Sequence, residues 1–312
     1  MAQKVFSFID TQQLTVGDIE TLFSNTKQIK TGFYKNGHFP DLWKKNPLVT
    51  LLFFEASTRT RFSFDVAVQR LGGSSIYFDG ASKEGTSLVK GETLADTFWT
   101  IHATRPDIIV VRCGSQLPLH QLAEQTEIPI INAGLGAESH PTQALLDTFT
   151  MQESFGDLRG RRVLFIGDIN HSRVAHSHME MLPRLGVEVG VVGPESFLEG
   201  TPETVKRFHS LDEAIPWADV CVSLRIQFER HGDKANFAKD EFIKNYQVSA
   251  KHKSLFRDGA LLFHPGPVNW GMEMDLSVQA LPAFKMWDQK ENGVYVRAAL
   301  LRWLFDKNGR SM

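Results

Sequence analysis

Phe53-Phe54-Glu55-Ala56-Ser57-Thr58-Arg59-Thr60-Arg61 joins two segments of different periodicity. Upstream, Pro47-Leu48-Val49-Thr50-Leu51-Leu52 is a short, nearly unbroken apolar run, the pattern of a buried strand. Downstream, Phe62, Ala67, Val68 and Leu71 recur at helical spacing until Gly72-Gly73 ends the pattern. Ser57 to Thr60 therefore fall where a strand stops and a helix starts. The first turn of a helix has backbone N–H groups without intrahelical partners, and its dipole adds partial positive charge. Hydroxyls and guanidinium groups converging on such a turn suit a phosphate. A single capping hydroxyl beside solvated arginines is the plainer alternative. The density of hydroxyls and arginines favours the anion site.

Outward from this stretch, strand and helix patterns alternate. Thr15 is a candidate cap for a helix with Ile19, Leu22, Phe23, Thr26 and Ile29 on one face. Strands are expected at Ser74–Asp79, Asp107–Val111 and Ile128–Ile131, with helices starting at Glu92 and running near Leu119–Glu124. Gly80 to Gly91 reads as a long polar loop containing Lys83, Ser87 and Lys90. Ala133 to Ser139 reads as a loop leading to His140-Pro141, with Pro141 suited to a first helical turn. The alternation restarts at Arg162. Strands are expected at Val163–Ile166, Val187–Val192, Val220–Leu224 and Leu261–Phe263, and helices at Ser172–Leu185 and Asn292–Phe305. This is the pattern of an α/β protein with two similar domains, each a parallel sheet flanked by helices. The expected domains are 1–150 together with the returning C-terminal helix 292–312, and 151–291, with Gly156–Gly160 as the junction.

The 312 residues suit two domains, and 42% hydrophobic with 22% charged residues describes an ordinary globular chain. A formal net charge of −2 offers no electrostatic case for nucleic acid or an anionic membrane. No apolar run approaches the ~20 residues that span a bilayer, and the N-terminus has no signal pattern, so a cytoplasmic protein is expected. Cys113 and Cys221 lie in apolar strand-like runs and read as buried free thiols.

Ligands of parallel sheets collect outside the carboxyl ends of the strands. The residues predicted there are Ser57 to Arg61, Arg112, His140 and Gln143 in the first half. The second half contributes Asp168, Arg173, Arg225, Gln227 and His264-Pro265-Gly266-Pro267. This set suits a multiply anionic ligand and contains no obvious nucleophile. His140 and Gln143 stand one helical turn apart, so both can face one cleft.

These motifs carry a resemblance. Ser57-Thr58-Arg59-Thr60-Arg61 and His140-Pro141-Thr142-Gln143 resemble signatures of the aspartate/ornithine carbamoyltransferase family. The lead-in Phe54-Glu55-Ala56 and the run Arg225-Ile226-Gln227-Phe228-Glu229-Arg230 are more like its aspartate branch. The His-Cys-Leu-Pro motif and Ser-Met-Gly segment of the ornithine branch are missing.

The resemblance implies transfer of a carbamoyl group from carbamoyl phosphate to the amine of L-aspartate, in pyrimidine biosynthesis, without metal or other cofactor. It implies that Arg59, Thr60, Arg112 and His140 are catalytic. Ser57, Thr58, Arg59, Thr60, Arg112, His140, Gln143, Gly266 and Pro267 would bind carbamoyl phosphate, making 1–150 plus 292–312 the donor domain. Lys90, Arg173, Arg225 and Gln227 would bind aspartate. Ser87 and Lys90 match a loop that enters a neighbouring subunit's site, which implies a homotrimer with shared sites. Regulatory or dihydroorotase chains are possible further partners. Glu55 is expected to reach Arg173 and Arg230 on domain closure. Many relatives carry an arginine where this chain has Trp270, which bears on the closing contacts of that loop.

Other chemistries fit less well. Gly167-Asp168 after an apolar run hints at a nicotinamide cofactor, but the second and third glycines of the dinucleotide fingerprint are missing. His171, His176 and His178 do not share a helical face suited to zinc. A non-catalytic relative that only binds carbamoyl phosphate would lack the acceptor residues, which are present.

Overall fold

The computed structural model describes residues 5–40, 42–82, 84–226 and 239–310. Lys83, Gln227, Glu229 and Arg230 lie outside the described residues. The chain divides into two units, Met1–Leu146 with Lys290–Met312, and Asp147–Gln289.

In the first unit, β1 (Leu48–Phe53), β2 (Ser74–Asp79), β3 (Ile108–Cys113) and β4 (Ile130–Leu135) form a parallel sheet in the order β2-β1-β3-β4. Crossover helices α2 (Thr58–Arg70), α3 (Leu94–Ala103) and α4 (Leu119–Gln125) connect them. α1 (Val16–Asn36) precedes the sheet. Its cap is the one expected: Thr15 accepts from the Asp18 N–H at 3.1 Å and Asp18 returns a bond to the Thr15 N–H at 2.9 Å. Ile19, Leu22, Phe23, Thr26 and Ile29 are its buried face. The last helix, α9 (Met286–Lys307), returns to this unit: Tyr295 packs on Phe33 and Phe39, Trp303 on Phe6, and Phe305 on Trp43.

Among the boundaries that differ from the sequence patterns, two stand out. Ala133-Gly134-Leu135 extends β4, although glycine and alanine give no strand signal. Cys113 pairs with Leu135 across a register shift in which β4 carries the extra residue, and all of β4 is buried. Helix α9 begins at Met286, ahead of the apolar face that marks it in sequence.

In the second unit, β5 (Arg162–Ile166), β6 (Glu188–Val192), β7 (Lys206–Phe208), β8 (Val220–Ser223) and β9 (Leu261–Phe263) form a parallel sheet ordered β7-β6-β5-β8-β9. Both faces of this sheet are covered. Along β5, Val163 and Phe165 join one apolar cluster while Leu164 and Ile166 join another, the period of two that a strand imposes. Strand β7 is too short and too polar to be read from pattern; it exists because it can pair with the edge of β6. α6 (Arg173–Met181) gives way to a 3-10 turn at Leu182–Leu185, because Pro183 cannot donate the next helical bond. α5 (Pro141–Phe155) starts in the first unit and ends in the second. Two smaller helices, α7 (Leu211–Ala214) and α8 (Lys239–Tyr246), complete the unit.

Candidate active site

Each sheet order reverses direction once, between β1 and β3 in the first unit and between β5 and β8 in the second. Such switch points leave a crevice at the strand ends, because successive crossovers depart to opposite faces.

In the first unit, parallel register places Phe53 at the end of β1 opposite Arg112 on β3. Residues beyond these strand ends are therefore neighbours without any sequence proximity. The Arg112 Nε lies 3.6 Å from a Glu55 carboxylate oxygen, and its Nη1 donates to the Ala133 carbonyl at 3.4 Å. The Arg112 side chain is only 13% exposed, so its charge is held at the strand exit. Glu55 thus pairs with Arg112 within the first unit.

Ser57 occupies the N-cap of α2, with extended backbone, but its side chain makes no capping hydrogen bond to the first turn. Thr58 and Arg59 are exposed and Thr60 is buried. The Thr60 carbonyl accepts from the Ser63 hydroxyl at 2.9 Å, leaving the Thr60 side chain out of that bond. Arg61 turns elsewhere: its guanidinium stacks over Tyr77 at 4.1 Å. Burial pushes the Tyr77 phenol up, against the hydrogen bond from Arg61.

His140 and Gln143 reach the same sheet end through a tight turn. Buried Asn132 donates to the Ser139 hydroxyl at 2.8 Å and to the Ile9 carbonyl at 2.9 Å, and accepts from the Gly134 N–H at 2.7 Å. Leu135 and Ser139 bond to each other through both backbone groups, at 2.9 and 3.2 Å. The turn delivers His140 to the start of α5, where Pro141 is the first helical residue, as predicted. The His140 carbonyl accepts from Gln143 and Ala144, and both His140 and Gln143 are buried.

Ser87 and Lys90 lie on a 3-10 turn over Ser87–Lys90, closed by Gly91 in the left-handed conformation. Both are exposed, and neighbouring Val89 is 62% exposed.

In the second unit, the Ile166 end of β5 lies opposite Ser223 of β8. Glycines permit the approach: a Cβ on Gly167 would sit 3.3 Å from the Leu224 carbonyl, and one on Gly193 only 2.6 Å from the Gly167 carbonyl. Asp168 is fully buried and bonds His171 through the ring at 2.9 Å and the backbone N–H at 3.3 Å. This bent connection leads to Ser172, whose hydroxyl caps α6 by accepting from the Ala175 N–H at 3.2 Å. Arg173 is the first residue of α6, and half-buried Arg225 follows β8.

Gly266 donates to the His264 Nδ1 at 2.8 Å, so His264 holds the turn carrying Gly266 and Pro267. Trp270 is 37% exposed and tilts against Phe284, so it packs within its own unit.

The histidines of the second unit do not gather. His171 is taken by Asp168, and buried His178 bonds the Val174 carbonyl at 2.8 Å. Among the described residues no cluster of potential metal ligands occurs. Both cysteines are free and buried, and burial pushes the Cys221 thiol up, which keeps it unreactive. No helix among the described residues is long and apolar enough to cross a membrane.

The arrangement has known counterparts. Residues 7–153 match the family description "Aspartate/ornithine carbamoyltransferase, carbamoyl-P binding domain", and residues 159–304 match its "Asp/Orn binding domain". The chain is 36% identical to an aspartate carbamoyltransferase catalytic subunit of Helicobacter pylori, over 97% of this chain and 99% of that protein. It is 39% identical to the corresponding subunit of Syntrophotalea carbinolica, over 93% and 92%. Among solved structures, aspartate transcarbamoylase from Trypanosoma cruzi in complex with carbamoyl phosphate superposes with a TM-score of 0.84 at 31% identity, covering 97% of this chain and 96% of that one. The same enzyme in complex with carbamoyl phosphate and aspartate gives 0.83 at 30% identity, covering 97% of each chain.

Proposed function

The chain belongs to the aspartate/ornithine carbamoyltransferase family, and from that premise we propose that it transfers the carbamoyl group of carbamoyl phosphate to L-aspartate. The products are N-carbamoyl-L-aspartate and phosphate, an early step of pyrimidine synthesis carried out in the cytoplasm. The observation that carries the reading is the first-unit strand end. There an N-cap serine that does not cap its own helix, a buried threonine and a register-locked arginine occur together. The aspartate acceptor is supported by relatives and neighbours named for aspartate, one of them with aspartate and carbamoyl phosphate bound.

In this proposal Ser57, Thr58, Arg59 and Thr60 hold the phosphate at the start of α2, where N–H groups and dipole favour an anion. Gln143 and the carbonyls of Gly266 and Pro267 face the carbamoyl NH2. Arg173, Arg225, Gln227 and Lys90 take the carboxylates of aspartate. The neutral amine attacks the carbamoyl carbon, the C–N bond forms as the C–O bond to phosphate breaks, and negative charge gathers on the carbamoyl oxygen. Thr60, Arg112 and His140 stabilise that oxyanion, one such donor being worth about 3–4 kcal/mol. The departing phosphate accepts the amine proton. The chemistry calls for no metal and no covalent enzyme intermediate.

Glu55 pairs with Arg112 at the strand end and, with Arg230, takes part in domain closure. Ser87 and Lys90 serve a neighbouring copy's site, so the homotrimer is the minimal active unit. Exposed Ile76 on the edge strand β2, together with exposed Phe62 and Val89, supports a partner copy on this side.

Phosphate release from carbamoyl phosphate, measured across a panel of amino acids, tests the reaction. Aspartate-dependent release is expected. Preference for ornithine, or no release with any acceptor, would overturn it.

A further inference from the structure

Glu273 stands between Met272 and Met274 in a segment where all three residues are buried. Packing alone would be served by a third methionine, since a buried carboxylate carries a desolvation cost that an apolar residue of similar size avoids. One Glu273 oxygen is heavily used. Oε1 accepts from the Asn269 N–H at 2.7 Å and lies 3.2 Å from the His264 Nε2. The Gly266 N–H donates to the other ring nitrogen of His264, so the proton of a neutral ring belongs on Nε2, directed at Glu273. The Asn269 side-chain amide then donates to the Ile226 carbonyl at 3.1 Å. Ile226 is fully buried and directly follows Arg225. Two loops distant in sequence, one after β8 and one after β9, are thus joined through one asparagine and one carboxylate. The His264 backbone N–H donates to the Gln289 side-chain oxygen at 2.9 Å, which anchors the join to the rest of the unit.

We propose that Asn269 and Glu273 are positioning residues that bind the Arg225 loop to the Gly266-Pro267 loop, so that the acceptor carboxylate is presented in fixed register with the carbamoyl NH2. The inference rests on the reaction proposed above and adds to it two residues outside the substrate contacts. The Asn269 side-chain amide reaches the acceptor side, through Ile226, while its backbone N–H stays with Glu273. Glu273 serves both sides, through Asn269 and His264. The two residues therefore have different kinetic signatures, which a purely structural role would not produce.

The test compares Asn269→Leu, which keeps the volume and the backbone N–H but removes the amide, with Asn269→His, whose Nδ1–H can take the place of the lost donor. Turnover of the wild-type protein with aspartate is measured first. Asn269→Leu is expected to raise the KM for aspartate by about tenfold, the scale of one lost hydrogen bond, with carbamoyl phosphate affinity changed less than about twofold. Asn269→His is expected to recover most of that loss. Glu273→Met is expected to weaken both substrates. An aspartate KM within about twofold of wild type in Asn269→Leu, or equal losses for both substrates, would overturn the inference. A wild-type protein without activity would instead refute the transferase reading. The clamp is then judged by amide hydrogen exchange over residues 220–226: faster exchange in Asn269→Leu supports it and unchanged exchange refutes it.

Discussion

α2 and α6 occupy equivalent places: each follows the first strand of its sheet, beside the point where strand order reverses. Each has a serine at its N-cap, yet the two helix ends are satisfied differently. Ser172 accepts from Ala175 and closes α6 internally, with Asp168 and His171 filling the turn before it. Ser57 makes no such bond, and its first turn is populated by Thr58, Arg59 and Thr60. The same topology thus yields one helix end closed by its own serine and one whose N-cap hydroxyl its own first turn does not use. A serine at a helix start therefore says little until the direction of its hydroxyl is known. The arginines differ correspondingly: Arg112 is fixed by Glu55 and a carbonyl, while Arg173 extends from the first residue of a helix already capped.

The comparison fails first at Arg112 if the reading is wrong. Arg112→Met removes the cation opposite Phe53 and is expected to lower kcat by about 10²–10³, roughly 3–4 kcal/mol of transition-state stabilisation. A loss of substrate affinity with unchanged kcat would show that Arg112 only recruits an anion.

The paired serines sharpen the contrast at a smaller scale. Ser172→Ala is expected to cost about 1 kcal/mol in urea unfolding, the usual value of a helix cap. Ser57→Ala should leave stability within about 0.5 kcal/mol, as expected where no cap is lost. It should nevertheless weaken carbamoyl phosphate binding in calorimetry. Equal destabilisation by both substitutions would mean that the two helix ends are alike.

The gentlest effect concerns the buried side of α6. Burial holds His178 below its ordinary value, with nearby Asp147 opposing. The unfolded chain then takes up the proton first, so stability is complete at neutral pH. It declines as pH falls below about 6.5, the ordinary histidine value, toward the lower folded one. His178→Asn should flatten the fall in unfolding free energy between pH 7 and pH 5; an unchanged slope would assign it to other groups, such as His252, which burial and Lys251 also hold down.

Much of this was legible along the chain, because strand ends and helix starts are local events. The Thr15 cap, the buried face of α1, Pro141 at the start of α5 and the apolar strands of both sheets follow from residue order and period alone. The polar residues that hold the turns were not legible. Asn132, Asn269 and Glu273 resemble ordinary loop residues until tertiary contacts show what they bind; the one faint signal was a carboxylate between two methionines.

Residue order by itself determined which side chains stand at the ends of strands, since an α/β alternation allows few other places for Ser57, Arg112, His140, Arg173 and Arg225. Tertiary structure alone decided that Glu55 orders Arg112, that Ser57 spares its own helix while Ser172 caps, and that Asn269 reaches Ile226. Those outcomes depend on strand register and on which hydrogen-bond partner is nearest, and both are set by pairing between segments that the linear chain keeps far apart.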